Sequence, residues 1–149
     1  MSSQTFFQSL IVLHLTGFLL FAGTTIADFI AFKQFWKQYN LTNTGATTVL
    51  GAMAGFPQLM RVGMGLIILS GIGIMAMTHA IFGEQVWFRV KFGIVIVVII
   101  NAFVIGQRLR SRLKKALAEE AAPQPGIISR IKTNLNRFHT VQILLIFVI

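Results

Sequence analysis

Long apolar blocks constrain the fold of this chain more than any other feature of its sequence. Three of them occupy residues 6–32, 59–82 and 86–106, and a fourth opens at residue 138. A helix of about 20 apolar residues crosses the roughly 30 Å hydrocarbon core of a bilayer, where loops and open sheet edges cannot satisfy their backbone hydrogen bonds. The blocks therefore predict an all-α integral membrane bundle of four transmembrane helices, forming one domain over residues 1–149.

The composition agrees with a chain that is embedded in a membrane. Hydrophobic residues make up 55% of its 149 residues, the mean hydropathy is +0.76, and only four residues are acidic. Because the chain has no cysteine, it can form no disulfide, thiolate metal site or cysteine nucleophile. In so apolar a chain, the formal charge of +9 favours anionic lipids over nucleic acid as the partner. We expect membrane lipids as partners and no nucleic acid.

The positions of the positive charges predict the orientation in the membrane. Eleven of the 13 Lys and Arg residues flank the link between blocks one and two or lie between blocks three and four. The other two, Arg89 and Lys91, fall on the opposite side. Because Lys and Arg collect on the cytoplasmic side, we expect the N-terminus outside and both long loops in the cytoplasm. The expected location is a bacterial inner (cytoplasmic) membrane, crossed several times.

Two segments outside the complete spans have patterns of their own. Residues 38–58 are rich in Asn, Thr, Gly and Ala and predict a loop with a weak helix on the membrane surface. A break at residues 121–126 precedes apolar residues at helical spacing among cations over residues 127–137, which is typical of a basic interfacial helix. The final apolar run, 138–149, is shorter than the ~17–25 residues of a span. It predicts a fourth span that is incomplete in this chain.

The first apolar block carries two ionisable residues, His14 and Asp28. At about 100° per residue, their 14-residue separation leaves them only about 40° apart around a helix axis. Gly17, Phe21 and Thr25 fall on the same stripe. Since an exposed charge is costly in hydrocarbon, we expect this stripe to face other helices rather than lipid.

The second block has a comparable stripe between Arg61 and His79. Their separation of 18 residues brings them to the same angle around the helix axis. If the two helices are antiparallel, His14 and His79 lie toward the outer leaflet, while Asp28 and Arg61 lie toward the inner one. Arg61 or Lys33 is then the expected cation for Asp28. The intervening members of the second stripe are Gly65, Ile68, Ile72 and Met75.

The third block opens with Trp87 at the expected outer interface, and Lys91 lies one turn deeper, where its cation can reach an acidic ligand. The second block is thinned by small residues that let helices or a flat cofactor approach closely. These are Gly63, Gly65, Ser70, Gly71 and Gly73. His139, at the start of the last block, is expected at the interface.

Scattered histidine and methionine in such helices favour haem over other chemistry. The sequence has no Gly-x-Ser-x-Gly, His-Glu-x-x-His or phosphate-binding glycine loop. Neutral imidazole or a thioether ligates haem iron, and Lys or Arg neutralises the propionates. We therefore predict a haem cofactor, with His14 as a ligand to its metal or a base, His79 or Met75 as the other candidate ligands, and Lys91 as the cation beside a propionate. Trp87 is a further candidate for the cofactor site.

Several short motifs are spread over the three complete blocks, namely His14-Leu15-Thr16-Gly17, Phe21-Ala22-Gly23, Arg61, Trp87 and Lys91. Their arrangement resembles the HemJ-type protoporphyrinogen oxidases, which share a four-helix membrane plan with CopD-like proteins. The resemblance covers nearly the whole chain. It implies a haem b or porphyrin site involving His14, with Lys91 contributing charge or proton transfer, in an oxidoreductase that passes electrons to a membrane redox partner.

Two other functions stay open at this point, and the sequence alone does not decide that the protein is an enzyme. In the first alternative, the chain is a structural or accessory subunit without a cofactor, whose glycine-lined faces pack against itself as a homo-oligomer or against a larger complex. In the second, it handles copper in the manner of CopD, although it has no Cys and no dense cluster of Met or His.

Overall fold

The computed structural model of the protein describes residues 3–40, 43–78, 85–118 and 125–148. Every regular element in these ranges is helical, as predicted. The chain falls into two compact units, residues 1–86 and 87–149. Three helical stretches are long and apolar enough to cross a membrane, namely Ser3–Tyr39, Thr48–Met77 and Val86–Leu113. The fourth span and the orientation stay predictions.

The first unit contains three α-helices and one short 3₁₀ turn. They are α1 (Ser3–Tyr39), α2 (Asn43–Ala52), the turn Met53–Gly55, and α3 (Phe56–Met77). Helix α1 packs along α3 and also against α2. At 37 residues it is about 55 Å long, well beyond the hydrocarbon thickness. Its last turns carry an aromatic cluster of Phe32, Phe35, Trp36 and Tyr39.

The described part of residues 38–58 contains the helix that was predicted there as weak. Most of the segment is α2 and the turn Met53–Gly55, which leads directly into α3. Met53 is buried, and α2 packs on α1. Packing against a neighbouring helix stabilises short helices of weak propensity, and this contact is not visible in local sequence.

Helices α1 and α3 approach each other until their backbones touch. A Cβ atom added to Gly17 would lie 2.9 Å from the carbonyl oxygen of Gly63, and one added to Gly63 would lie 2.8 Å from the backbone nitrogen of Phe21. Real side-chain atoms do not come so close to backbone atoms. Glycine at positions 17 and 63 is therefore what permits this helix spacing.

The second unit is built from a long interrupted helix and one returning helix. Its elements are α4 (Val86–Ile100, beginning one residue before the unit), a π-helical segment (Asn101–Gly106), α5 (Gln107–Ala118) and α6 (Pro125–Val148). Helix α6 packs against both α5 and the π-helical segment. It is continuous over 24 residues, so it joins the segment predicted as an interfacial helix, 127–137, to the start of the predicted last span without a break.

Candidate functional site

The polar stripe predicted on the first block is the face that α1 buries. Gly17, Phe21, Thr25 and Asp28 are all buried, and His14 is half-buried. Thr25 donates its hydroxyl hydrogen to the carbonyl oxygen of Phe21 at 2.8 Å, which satisfies it within its own helix. The prediction that His14 and Asp28 face protein is confirmed.

His14 contacts α3 through a hydrogen bond to Ser70, a residue that is fully buried. Nδ1 of His14 lies 3.0 Å from Oγ of Ser70. The single hydroxyl hydrogen of Ser70 is already donated to the carbonyl oxygen of Leu66, with that of Ile67 also within 3.2 Å. We assign the hydroxyl hydrogen of Ser70 to the shorter of these bonds, which leaves Oγ to accept a hydrogen from Nδ1 of His14. In the neutral ring the lone pair then lies on Nε2.

Small residues make room for the imidazole. A Cβ atom on Gly71 would lie 3.5 Å from Cε1 of His14, which is ordinary van der Waals contact. One turn closer to the N-terminus of α1, the side chain of Leu10 lies against Gly73, where an added Cβ would be 3.0 Å from it. Ser70, Gly71 and Gly73 thus form the α3 side of the environment of His14.

The face of α3 expected to meet α1 was predicted wrongly. Arg61, Ile68 and Ile72 of the predicted stripe are exposed, whereas Gly63 and Ser70 lie against α1. Both faces of α3 carry small and large apolar residues, so the presence of small residues alone does not separate them. The face with the smallest side chains at the crossing point allows the closer approach.

The register of the helices also bears on the expected partner of Asp28. Contacts of Gly17 and Phe21 with Gly63 place Arg61 about level with Gly23, more than one turn from Asp28. Arg61 is exposed and donates from Nε to the carbonyl oxygen of Pro57 at 3.2 Å. The Nζ atom of Lys33, the other expected cation, lies 4.4 Å from the ring centroid of Phe29. These arrangements do not support the predicted pairing with Arg61.

The structure describes three of the other predicted site residues, Met75, Trp87 and Lys91. Met75 is half-buried, about 140° around α3 from Ser70, and so on another face. His79 lies outside the described residues. In the second unit, Trp87 and Lys91 are exposed neighbours on α4, with the Lys91 Nζ atom 5.6 Å from the Trp87 ring centroid, a cation–π contact.

The second unit holds a buried polar cluster that the sequence analysis missed. Asn101 donates from Nδ2 to Oε1 of Gln142 at 2.6 Å. His139, expected at an interface, is only 2% exposed, and its Nδ1 lies 2.8 Å from the carbonyl oxygen of Leu135. A single amide residue in each of two apolar runs was the available signal, because buried amides in such helices usually bond to each other.

Metal-ligand groups and similarity to known proteins are two further sources of evidence about function. Within the part of the chain that the structure describes, no three or more His, Cys, Asp or Glu residues are grouped so as to hold a metal ion. Comparisons with protein-family models, curated proteins and solved structures gave no match. The resemblance to HemJ-type and CopD-like proteins therefore stays a prediction.

Proposed function

We propose that this protein is a multi-pass membrane protein that binds haem b or a related porphyrin, with Nε2 of His14 as an axial ligand. The observation that supports the proposal is the 3.0 Å contact between Nδ1 of His14 and Oγ of Ser70, in which we assign Nδ1 as the donor. Histidines that bind metals almost always donate their other ring hydrogen to an oxygen atom, which fixes the tautomer and the ring orientation. His14 has this arrangement at a helix interface.

The surroundings of His14 fit a flat, mostly apolar ligand. Gly71 presents no side chain beside the ring, and exposed apolar side chains such as Leu15 and Ile72 continue outward from the two helices. Hydrophobic walls with a few placed polar groups are typical of cofactor sites. A single histidine is sufficient for a five-coordinate haem, so the proposal needs no ligand from Met75 or His79.

The finer form of the proposal is an oxidoreductase of the HemJ type in a bacterial inner membrane. Haem would supply one-electron chemistry when bound. Lys91, exposed on α4, is the proposed cation for a carboxylate of the porphyrin or for proton transfer. A membrane electron carrier would be the redox partner.

The proposal is tested by adding haemin to the purified, detergent-solubilised protein and recording oxidised and reduced absorption spectra. We expect the wild type to give a sharp, shifted Soret band that is lost in His14→Ala. Ser70→Ala should bind haem more weakly, by about tenfold, since loss of such a partner typically costs 10–100-fold. Thr16→Ala is the matched control on α1, because the exposed Thr16 hydroxyl donates to the carbonyl oxygen of Val12 in its own helix.

A second candidate, a structural or accessory subunit without a cofactor, is favoured by the close backbone contact of Gly17 with Gly63. In that case the bond between His14 and Ser70 serves helix packing alone. A wild type that takes up no haem, together with a His14→Ala variant that unfolds more easily, would support this candidate and contradict the first.

A further inference from the structure

The second unit carries a strongly basic surface. We use the name basic hairpin for α5 together with residues 129–137 of α6. Leu113, Ile131 and Leu135 are buried and form the apolar side of this pair of helices. The opposite sides carry six exposed cations, Arg108, Arg112, Lys115, Arg130, Lys132 and Arg137.

The register of the two helices places these cations at matching heights. Gly106 lies against Phe138, where an added Cβ would be 2.9 Å from the ring, and α6 packs against α5 as well as against the π-helical segment. Continuing this antiparallel register along both helices puts Arg112 about level with Lys132. Cations of α5 therefore lie at about the same heights along the hairpin as cations of α6, and each such height is called a layer.

The described parts of the second unit are rich in cations and contain no acidic residue. Residues 87–118 and 125–148 have no Asp or Glu, and the two glutamates between the helices, Glu119 and Glu120, lie outside the described residues. Like charges held close together destabilise a compact state. A bound anion removes this cost, and a phosphate group with several acceptor oxygens can bond to cations from two helices at once.

The position of the basic hairpin along the chain favours a lipid as the source of that anion. The helix from α4 to the end of α5 is about 50 Å long, so it extends well beyond hydrocarbon about 30 Å thick. Its apolar part ends at Gly106, and Arg108 follows two residues later. The first layer of cations therefore stands where phospholipid headgroups lie, and the next layers follow within about 10 Å.

We propose that the basic hairpin binds anionic phospholipid headgroups, with phosphates held between cations of α5 and α6. Headgroups within a Debye length of these layers feel their charge. The lipid surface, rather than a nucleic acid, is the partner, because the cations adjoin an apolar helix that is long enough to span the membrane.

The test uses the full chain in mixed micelles with equal amounts of phosphatidylglycerol and phosphatidylcholine, and native mass spectrometry to count retained lipids. We expect the wild type to retain phosphatidylglycerol preferentially. Neutralising Arg112, Arg130 and Arg137 by R112Q/R130Q/R137Q should lower that preference at least tenfold, since each cation near a membrane surface contributes roughly fivefold. Glutamine is a good helix former, so the helices should persist, which circular dichroism checks.

The matched control is S111Q/N134Q/N136Q, which places glutamine at three exposed, uncharged positions of the same hairpin and should keep the preference within twofold. An equal loss in the control, or an unchanged preference in the hairpin variant, would overturn the proposal. Should the triple variant misfold, Arg112→Gln alone is expected to lower the preference about fivefold, and no change would overturn the proposal.

Two further arms separate the lipid from other anions. Inorganic phosphate at the ionic strength of a chloride control should not displace phosphatidylglycerol; specific displacement would indicate a site for the free ion. A fluorescent oligonucleotide should bind the protein no more tightly than it binds R112Q/R130Q/R137Q. If the wild type bound the oligonucleotide more tightly than the variant and showed no preference for phosphatidylglycerol, the partner of the basic hairpin would be nucleic acid and not lipid.

Discussion

Nδ1 of His14 lies 3.0 Å from Oγ of Ser70 across the interface of α1 and α3. Ser70 can accept because its own hydrogen is given to the backbone of its helix. The pair thereby fixes which imidazole nitrogen keeps its lone pair, and it does so beside residues too small to crowd the ring. Both the haem proposal and the structural alternative depend on this contact, and they differ in what Nε2 does.

Close packing of α1 against α3 should depend on Gly17 and Gly63 but not on Gly23 and Gly65. Gly63→Ala is expected to lower the free energy of unfolding by about 1–3 kcal/mol, because its Cβ would overlap the backbone of α1. Gly65→Ala, the control, has open space and should be neutral or stabilising by up to about 1 kcal/mol. Titration with denaturing detergent measures both. Equal effects would contradict the helix contact described here.

The same comparison can be made on α1. Gly17→Ala should be as destabilising as Gly63→Ala, because its Cβ would meet the backbone of α3 from the other side. Gly23→Ala has nothing within 4 Å and should be tolerated. If Gly23→Ala were the more damaging of the two, α1 would have to be rotated about its axis.

A larger side chain at position 71 should block access to the imidazole of His14 without lowering the stability of the protein. Gly71→Ala adds a Cβ at ordinary contact distance from His14 and should leave haem affinity within about threefold of wild type. Gly71→Leu extends past the ring and should reduce haem affinity at least tenfold, while helix content by circular dichroism stays unchanged. Full haem binding by Gly71→Leu would place the cofactor elsewhere.

The amide pair of the second unit should show strong coupling. Asn101→Leu leaves the amide of Gln142 buried without its donor, at an expected cost of about 1–3 kcal/mol. The double variant, with Leu at positions 101 and 142, also removes Nε2 of Gln142, which is buried with no hydrogen-bond partner within the described ranges. It should therefore be nearly as stable as wild type. Additive losses in a double-mutant cycle would show that the two amides act independently.

The buried face of α1 could be predicted because one helix repeats its own pattern. His14, Gly17 and Asp28 recur at helical spacing, so their common face follows from the residues of one segment. The face of α3 could not be predicted in this way. The sequence of α3 offers two faces, one with Gly63 and Ser70 and one with Gly65 and Ile72. Only the register against α1 shows which face makes the contact.

Contacts between residues far apart in the sequence could not be predicted, for the same reason. The bond between Asn101 and Gln142 joins residues far apart in the chain, and the burial of His139 follows from the same pairing of helices. The helix at residues 43–52 lies in a segment predicted as a loop with a weak helix, and its packing on α1 could not be predicted from composition. Each of these depends on how elements meet, whereas apolar length alone was enough to predict the three membrane-crossing candidates.

The most direct measurement is chemical rescue of the axial ligand. His14→Gly should bind haem weakly and give a broad Soret band, and added imidazole, occupying the space of the lost side chain, should restore the band and the affinity of the wild type. Thr16→Gly should need no imidazole. If His14→Gly bound haem as the wild type does, or if the wild type gave no defined Soret band, His14 would not be the ligand and the proposed function would be wrong.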